Sequence, residues 1–146
     1  MKTLVVYDSN FGNTKLIAEE IGKSLGDNYK VIPITQFSES DLSSLDLLIF
    51  GSPIIGWRPS EKTTAVLTSL KGKIKSGLKF STFDTRVKLF IHGDAKEKMA
   101  NMLTEAGGKL VFEPQGFYVT GKVGPLFSGE LEKAASWAKL IKKKMQ

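Results

Sequence analysis

Apolar and polar positions along this chain fall into two kinds of block, short unbroken apolar runs and longer stretches at helical spacing. Leu4, Val5, Val6 and Tyr7 form the first run, which fits a strand covered on both faces. From Lys15 the period changes: Ile17, Ile21 and Leu25 recur on one helical face with Ala18 beside them, and Gly26 supplies a stop. Tyr29 to Ile34 predicts a second strand, which Pro33 confines to a sheet edge because proline has no N–H to donate. Phe37, Leu42 and Leu45 mark a short crossover, with Ser38 or Ser40 placed before acidic residues as a cap. Leu47, Leu48, Ile49 and Phe50, within Asp46 to Gly51, predict a third and central strand. A loop to Pro59 follows, and Ser60 begins a helix whose Val66, Leu67 and Leu70 face the sheet.

Leu78 to Phe83 predicts the fourth strand, and Asp84 to Gly93 a longer connection. Asp94 with Glu97 has capping-box spacing before the clearest amphipathic stripe, Met99, Met102, Leu103 and Ala106, which Gly107 and Gly108 close. Lys109 to Phe112 opens a fifth strand that Gly116 to Val119 continues past Pro114. After a loop from Thr120 to Ser128, Leu131, Ala134, Ala135, Ala138 and Ile141 predict the last helix, with Trp137 beside its stripe in a packing role. Strands alternating with helices imply right-handed parallel crossovers and a doubly wound α/β sheet with helices on both faces. No repeat, linker or low-complexity segment interrupts the pattern, so residues 1–146 read as one domain. A chain of that length buries about 68–70% of its unfolded surface and needs no disulfide or metal to hold it.

The stretch with chemistry in it is the turn from Ser9 to Thr14, which joins the C-terminal end of the first strand to the head of the first helix. Unpaired backbone N–H groups and the positive end of the helix dipole face outward at such a place, which suits an anion and phosphate above all. Ser9, Asn10, Asn13 and Thr14 offer neutral donors, and Gly12 permits a tight bend or close approach of a ligand. A nucleoside triphosphate loop needs Gly-Lys-Ser/Thr, whereas here Lys15 follows Thr14. A terminal monophosphate fits better. The same residue types also cap helices and turn chains, and the spacing alone accommodates both uses.

Ser9-x-Phe11-Gly12-Asn13-Thr14 after a first parallel strand resembles the phosphate loop of the flavodoxin family, usually Thr/Ser-x-Thr/Ser-Gly-x-Thr. Phe11 departs from it where the family most often has a hydroxyl. The resemblance continues through Gly51-Ser52-Pro53 and the sequence around Phe83-Asp84-Thr85-Arg86, and so covers essentially the whole chain. It implies a five-stranded sheet in the order 2-1-3-4-5, with ligand bound at the switch point between the first and third strands. It also implies non-covalent FMN: Ser9, Asn10, Phe11, Gly12, Asn13 and Thr14 on the phosphate, and loops from Ser52 to Arg58 and Thr82 to Arg86 around the ring. In the first of these loops, Ser52, Pro53, Ile54 and Ile55 lead to Gly56, whose peptide is free to turn toward the flavin N5. Trp57 is the candidate for stacking on the ring, and Arg58 follows it. In the second loop, made of Thr82, Phe83, Asp84, Thr85 and Arg86, the family's stacking tyrosine is absent. Either Phe83 or Phe90 substitutes or that face is open; Asp84 and Thr85 face the ring's polar edge, or Phe83 simply ends a strand and Asp84 opens a turn; and Arg86 either eases the charge of an anionic reduced flavin or is solvated.

Composition adjusts this picture in two places. There is no cysteine, so redox chemistry here has no thiol, and the lone His92 has no neighbours at ligand spacing to make a metal site. The net charge is +6 with a pI near 9.5, whereas flavodoxins that serve as general carriers are commonly acidic. A basic carrier is expected to dock on an acidic redox partner or near anionic lipid. Lysines are spread along the chain rather than interleaved with aromatics, which argues against nucleic acid. No apolar run is long enough to span a membrane, and a cytoplasmic location is expected by default. The reading is therefore an FMN-dependent electron-transfer protein rather than an enzyme with catalytic residues of its own. The alternatives are an FMN-dependent quinone reductase or heme-pathway oxidase of flavodoxin type, or a flavodoxin-like interaction domain that has lost FMN.

Overall fold

The computed structural model describes residues 1–89 and 93–146. The elements run β1 (Thr3–Tyr7), α1 (Asn13–Leu25), β2 (Tyr29–Pro33), two short 3-10 turns, β3 (Leu47–Ile55), β4 (Arg58–Pro59), α2 (Glu61–Ser69), β5 (Lys79–Val87), α3 (Lys96–Glu105), β6 (Lys109–Leu110), β7 (Gln115–Val119) and α4 (Glu130–Met145). The parallel sheet has the order β2-β1-β3-β5, and β6 and β7 pair in succession along the outer side of β5. Counting β6 and β7 as one broken strand gives the expected 2-1-3-4-5 order. The tiny β4 is an antiparallel hairpin partner of β3.

Both faces of the sheet are covered, which is why the strand runs are apolar without alternation. Leu4, Val6, Leu48, Phe50 and Phe80 pack on the side of α2 and α3 with Leu67, Met99 and Leu103. Their neighbours Val5, Tyr7, Leu47, Ile49 and Phe83 pack on the other side, against Ile17 and Ile21 of α1 and Trp137 and Ile141 of α4. Trp137 Nε1 donates to the Glu113 carbonyl at 2.9 Å, so its indole is both packed and satisfied. Pro33 closes β2 at the sheet edge, and Ser60 caps α2 by accepting from the Thr63 N–H.

Four features differ from the sequence reading. The loop expected from Gly51 to Pro59 is the rest of β3, to Ile55, and its hairpin to β4. The fourth strand runs on to Val87, because β3 itself continues to Ile55 and offers backbone partners: Gly51 pairs with Phe83, Ser52 with Asp84 and Pro53 with Thr85. Thr82, Phe83, Asp84, Thr85 and Arg86 are thus strand residues and not a loop. The fifth strand is broken outright between Leu110 and Gln115, where Pro114 has no N–H for the ladder. At α3, Asp94 caps by accepting from Glu97 N and Lys98 N, both at 3.1 Å, while the Glu97 side chain turns to Lys96 instead of closing a box. Phe90 and His92, two residues singled out in the sequence, lie outside the described residues.

Candidate functional site

A cavity of about 650 Å³ opens at the carboxyl edge of the sheet, where the chain leaves β1 in one direction and β3 in the other. That is the place a doubly wound sheet leaves free, since its crossovers depart to opposite faces there. The volume lies within the range of roughly 300–1,000 Å³ usual for small-molecule sites.

The first wall is the turn between β1 and α1. Gly12 sits at the helix cap with φ 92°, a left-handed conformation that glycine adopts without strain, and a Cβ there would meet nothing within 4 Å. Ser9 Oγ accepts from Gly12 N at 3.1 Å and from Lys15 N at 3.4 Å, which braces the turn from within. The N–H groups of Asn10, Phe11, Asn13 and Thr14 have no hydrogen-bond partner among the described residues. Thr14 is buried and its hydroxyl bonds that of Thr85 at 2.8 Å, which pins the head of α1 to the end of β5. Asn13 is not free to turn to a ligand as expected: its Nδ2 donates to the Val123 carbonyl at 2.9 Å and ties down the loop after β7.

The second wall is Pro53, Ile54, Ile55 and Gly56, the overhanging end of β3. Gly56 (φ 59°) and Trp57 (φ 71°) form the two-residue turn of the β3–β4 hairpin. The Trp57 carbonyl accepts from Asp94 N and from Lys98 Nζ, both at 3.1 Å, so α3 holds the hairpin by its backbone. The indole is 57% exposed at the hairpin tip and does not line the cavity, and the exposed Arg58 does not either. Ser52 is fully buried, donating to the Pro53 carbonyl and accepting from Ser60 N. It shapes the wall from behind.

The third wall is Thr85, Arg86 and Val87. Thr82, Phe83 and Asp84, expected beside the ring, are buried in the strand instead. Phe83 lies across Gly51 and makes edge contacts with Phe117 and Trp137. The Thr82 hydroxyl donates to the Lys96 carbonyl at 2.7 Å. The Asp84 carboxylate accepts from Arg86 Nε at 2.8 Å, from Arg86 Nη2, and from Ala95 N and Lys96 N. Arg86 spans from this buried carboxylate to Asp94 and to the cavity wall. Desolvation by burial pulls its pKa down, but the hydrogen bond and charge of Asp84, aided by Asp94, outweigh that and hold it above the ordinary arginine value. The guanidinium is a fixed, permanent cation in the wall.

Three lining residues had not been anticipated: Val87, Val119 and Lys122. Val87 was hidden by the misplaced end of the fourth strand, and nothing in the glycine-rich loop distinguished Lys122 from other surface lysines. Among the described residues no three His, Cys, Asp or Glu side chains come together as a metal site, and no helix is long and apolar enough to cross a membrane.

The donor set of this crevice fits a phosphate ester with an apolar body: unpartnered N–H groups stand at a helix head beside the Ser9 hydroxyl, apolar walls of Pro53, Ile54, Ile55, Val87 and Val119 lead away from them, and Phe11 alone breaks the polar lining of the turn. Fold and site together define a doubly wound α/β domain with an open crevice at its switch point. Residues 4–144 match the family model described as Flavodoxin domain, and the chain belongs to that family. The fold is similar to that of oxidised Flavodoxin 1 from Bacillus cereus, with TM-score 0.83 and 20% identity over 98% of each chain. A flavodoxin from the domain Archaea matches with TM-score 0.78 and 19% identity over 99% of each chain. Rubredoxin oxygen:oxidoreductase from Desulfovibrio gigas matches with TM-score 0.83 and 18% identity, over 99% of this chain but 36% of that one. Among curated proteins none matches the chain in sequence.

Proposed function

We propose that this protein binds FMN non-covalently and carries electrons between redox proteins. The observation that supports this most directly is the set of unpartnered N–H groups at Asn10, Phe11, Asn13 and Thr14, at the head of α1 and opening into an apolar-walled cavity. Those donors would hold the phosphate, with the Thr14 hydroxyl fixing the turn against β5. Bound FMN supplies the electron chemistry itself, and the protein supplies binding and tuning. Pro53, Ile54, Ile55 and Val87 would enclose the ring and keep water from it. Arg86, locked by Asp84, would make added negative charge in the crevice less costly, hence a reduction potential less negative than in acidic relatives.

The surface around the cavity mouth supports an acidic redox partner. Phe11, Ile55, Trp57, Leu89 and Val123 are exposed on the segments that line or border it, where the exposed cations Lys15, Arg58, Lys88, Lys98 and Lys122 outnumber the exposed acids Glu61 and Glu97. Apolar contacts set among an excess of one charge sign bring a partner of the opposite sign in quickly and orient it.

The test is titration of the purified apoprotein with FMN and with riboflavin, followed by flavin fluorescence. Quenching by FMN with much weaker riboflavin binding is the expected result. No binding of either flavin would leave a flavodoxin-like interaction domain, and rapid oxidation of NAD(P)H with quinone by the loaded protein would favour an FMN-dependent oxidoreductase.

A further inference from the structure

The turn that would receive the phosphate is itself uncharged. Between Asp8 and Thr14 there is no cation, the residue before the turn is an acid, Phe11 puts a ring where a hydroxyl would donate, and the cation that follows, Lys15, is exposed on α1 and does not line the cavity. A phosphate monoester carries about −1.5 to −2 at neutral pH. Against that the helix head offers only about half a positive charge.

Two cationic side chains line the cavity, Arg86 and Lys122. Arg86 is committed to Asp84 and Asp94 on the side of α3. Lys122 forms no ion pair with a carboxylate among the described residues. Its position is fixed from two directions. Gly124 N donates to the Gly121 carbonyl at 3.0 Å, and Thr120 N and Oγ1 both donate to the Pro125 carbonyl, so residues 120–125 form a loop closed on itself. Next to Lys122, the Val123 carbonyl is held by Asn13 Nδ2, and Gly124 packs so tightly on the Asn13 side chain that a Cβ there would collide with it. Lys122 is therefore one residue from the point where this loop is fastened to the head of α1.

We infer that Lys122 is a phosphate-binding residue of this site, closing over the β1–α1 turn and supplying the charge that the turn lacks. The inference rests on the FMN reading above and assigns to the Asn13 side chain, as distinct from its N–H, the task of holding the loop that carries the lysine. A charge-assisted contact is roughly twice as strong as a neutral one. It distinguishes FMN from riboflavin, which has the same ring and no phosphate.

The experiment compares FMN and riboflavin affinities, by fluorescence quenching at low and at high salt, in the wild type and in the variants Lys122→Gln and Lys122→Arg. Lys122→Gln is expected to bind FMN about tenfold more weakly, the size of one charge-assisted hydrogen bond, with riboflavin affinity unchanged. Lys122→Arg should retain FMN binding, and added salt should narrow the difference between wild type and the glutamine variant. Unchanged FMN affinity in Lys122→Gln, or an equal loss for both flavins, overturns the assignment while leaving the FMN reading intact. A wild-type protein that binds neither flavin removes both. The loop is exposed and Lys122 forms none of its hydrogen bonds, so all three proteins should give the same circular dichroism spectrum and melting midpoint.

Discussion

Replacing Asp84 by asparagine is the change that most sharply separates a structural carboxylate from a ligand-binding one. Asp84 is completely buried, and its two oxygens accept from Arg86 Nε, Arg86 Nη2, Ala95 N and Lys96 N. Asparagine keeps the shape but removes the charge and turns an NH2 group toward donors. The guanidinium, itself only 9% exposed, loses its main counter-charge in a place where little water reaches it. Breaking a buried pair from one side costs about 3–5 kcal/mol. The lower end applies here, because Asp94 remains 3.4 Å from Arg86. Unfolding entropy of roughly 2.1 cal/mol/K per residue, taken over this chain, converts about 3 kcal/mol into a fall in melting temperature of about 10 °C. The assay is thermal or urea unfolding at neutral pH without flavin. Pairing the change with Arg86→Met should recover part of the loss, since no charge is then left unpaired. An Asp84→Asn midpoint within about 2 °C of wild type, together with weakened FMN binding, would refute this reasoning and put the carboxylate on the ligand.

Gly51→Ala would set a methyl group inside the ring of Phe83 and should destabilise by about 1–3 kcal/mol, as overpacking does. Calorimetry on Gly51→Ala with and without Phe83→Leu checks this, and the double variant should regain stability because leucine clears the space. Gly12→Ala meets no atom within 4 Å and should cost only the strain of its left-handed φ, about 1–2 kcal/mol, while Gly12→Asn, which tolerates that conformation better, should cost less. If a flavin phosphate approaches this backbone closely, both variants should lose FMN affinity, which titration reads independently of stability.

Much of the architecture was legible because it depends on local pattern. The unbroken runs at Leu4 to Tyr7 and Leu47 to Phe50 fit strands with two covered faces, and the spacing of Ile17, Ile21 and Leu25 fits a helix, as the structure has them. The β1–α1 turn was legible for the same reason: Gly12 and its hydroxyl and amide neighbours are local chemistry, and they stand at the cavity. The end of the fourth strand was not legible. Asp84, Thr85 and Arg86 look like a turn in isolation, and only the overhang of β3 provides the ladder that makes them strand. The seat of Trp57 was not legible either: the two-residue hairpin and the grip of Asp94 and Lys98 on its carbonyl set its indole at the exposed hairpin tip.

By itself, the sequence determined the succession of strands and helices, the two-sided sheet, the position of the β1–α1 turn and the excess of positive charge. Each follows from periodicity or residue type within a dozen positions. The tertiary structure alone decided which side chains reach the cavity. It buried Asp84 as the partner of Arg86, turned Asn13 to the loop after β7, and brought Lys122 across from the far end of the chain. Those choices depend on strand register and on contacts between residues up to 110 positions apart, which no local pattern encodes.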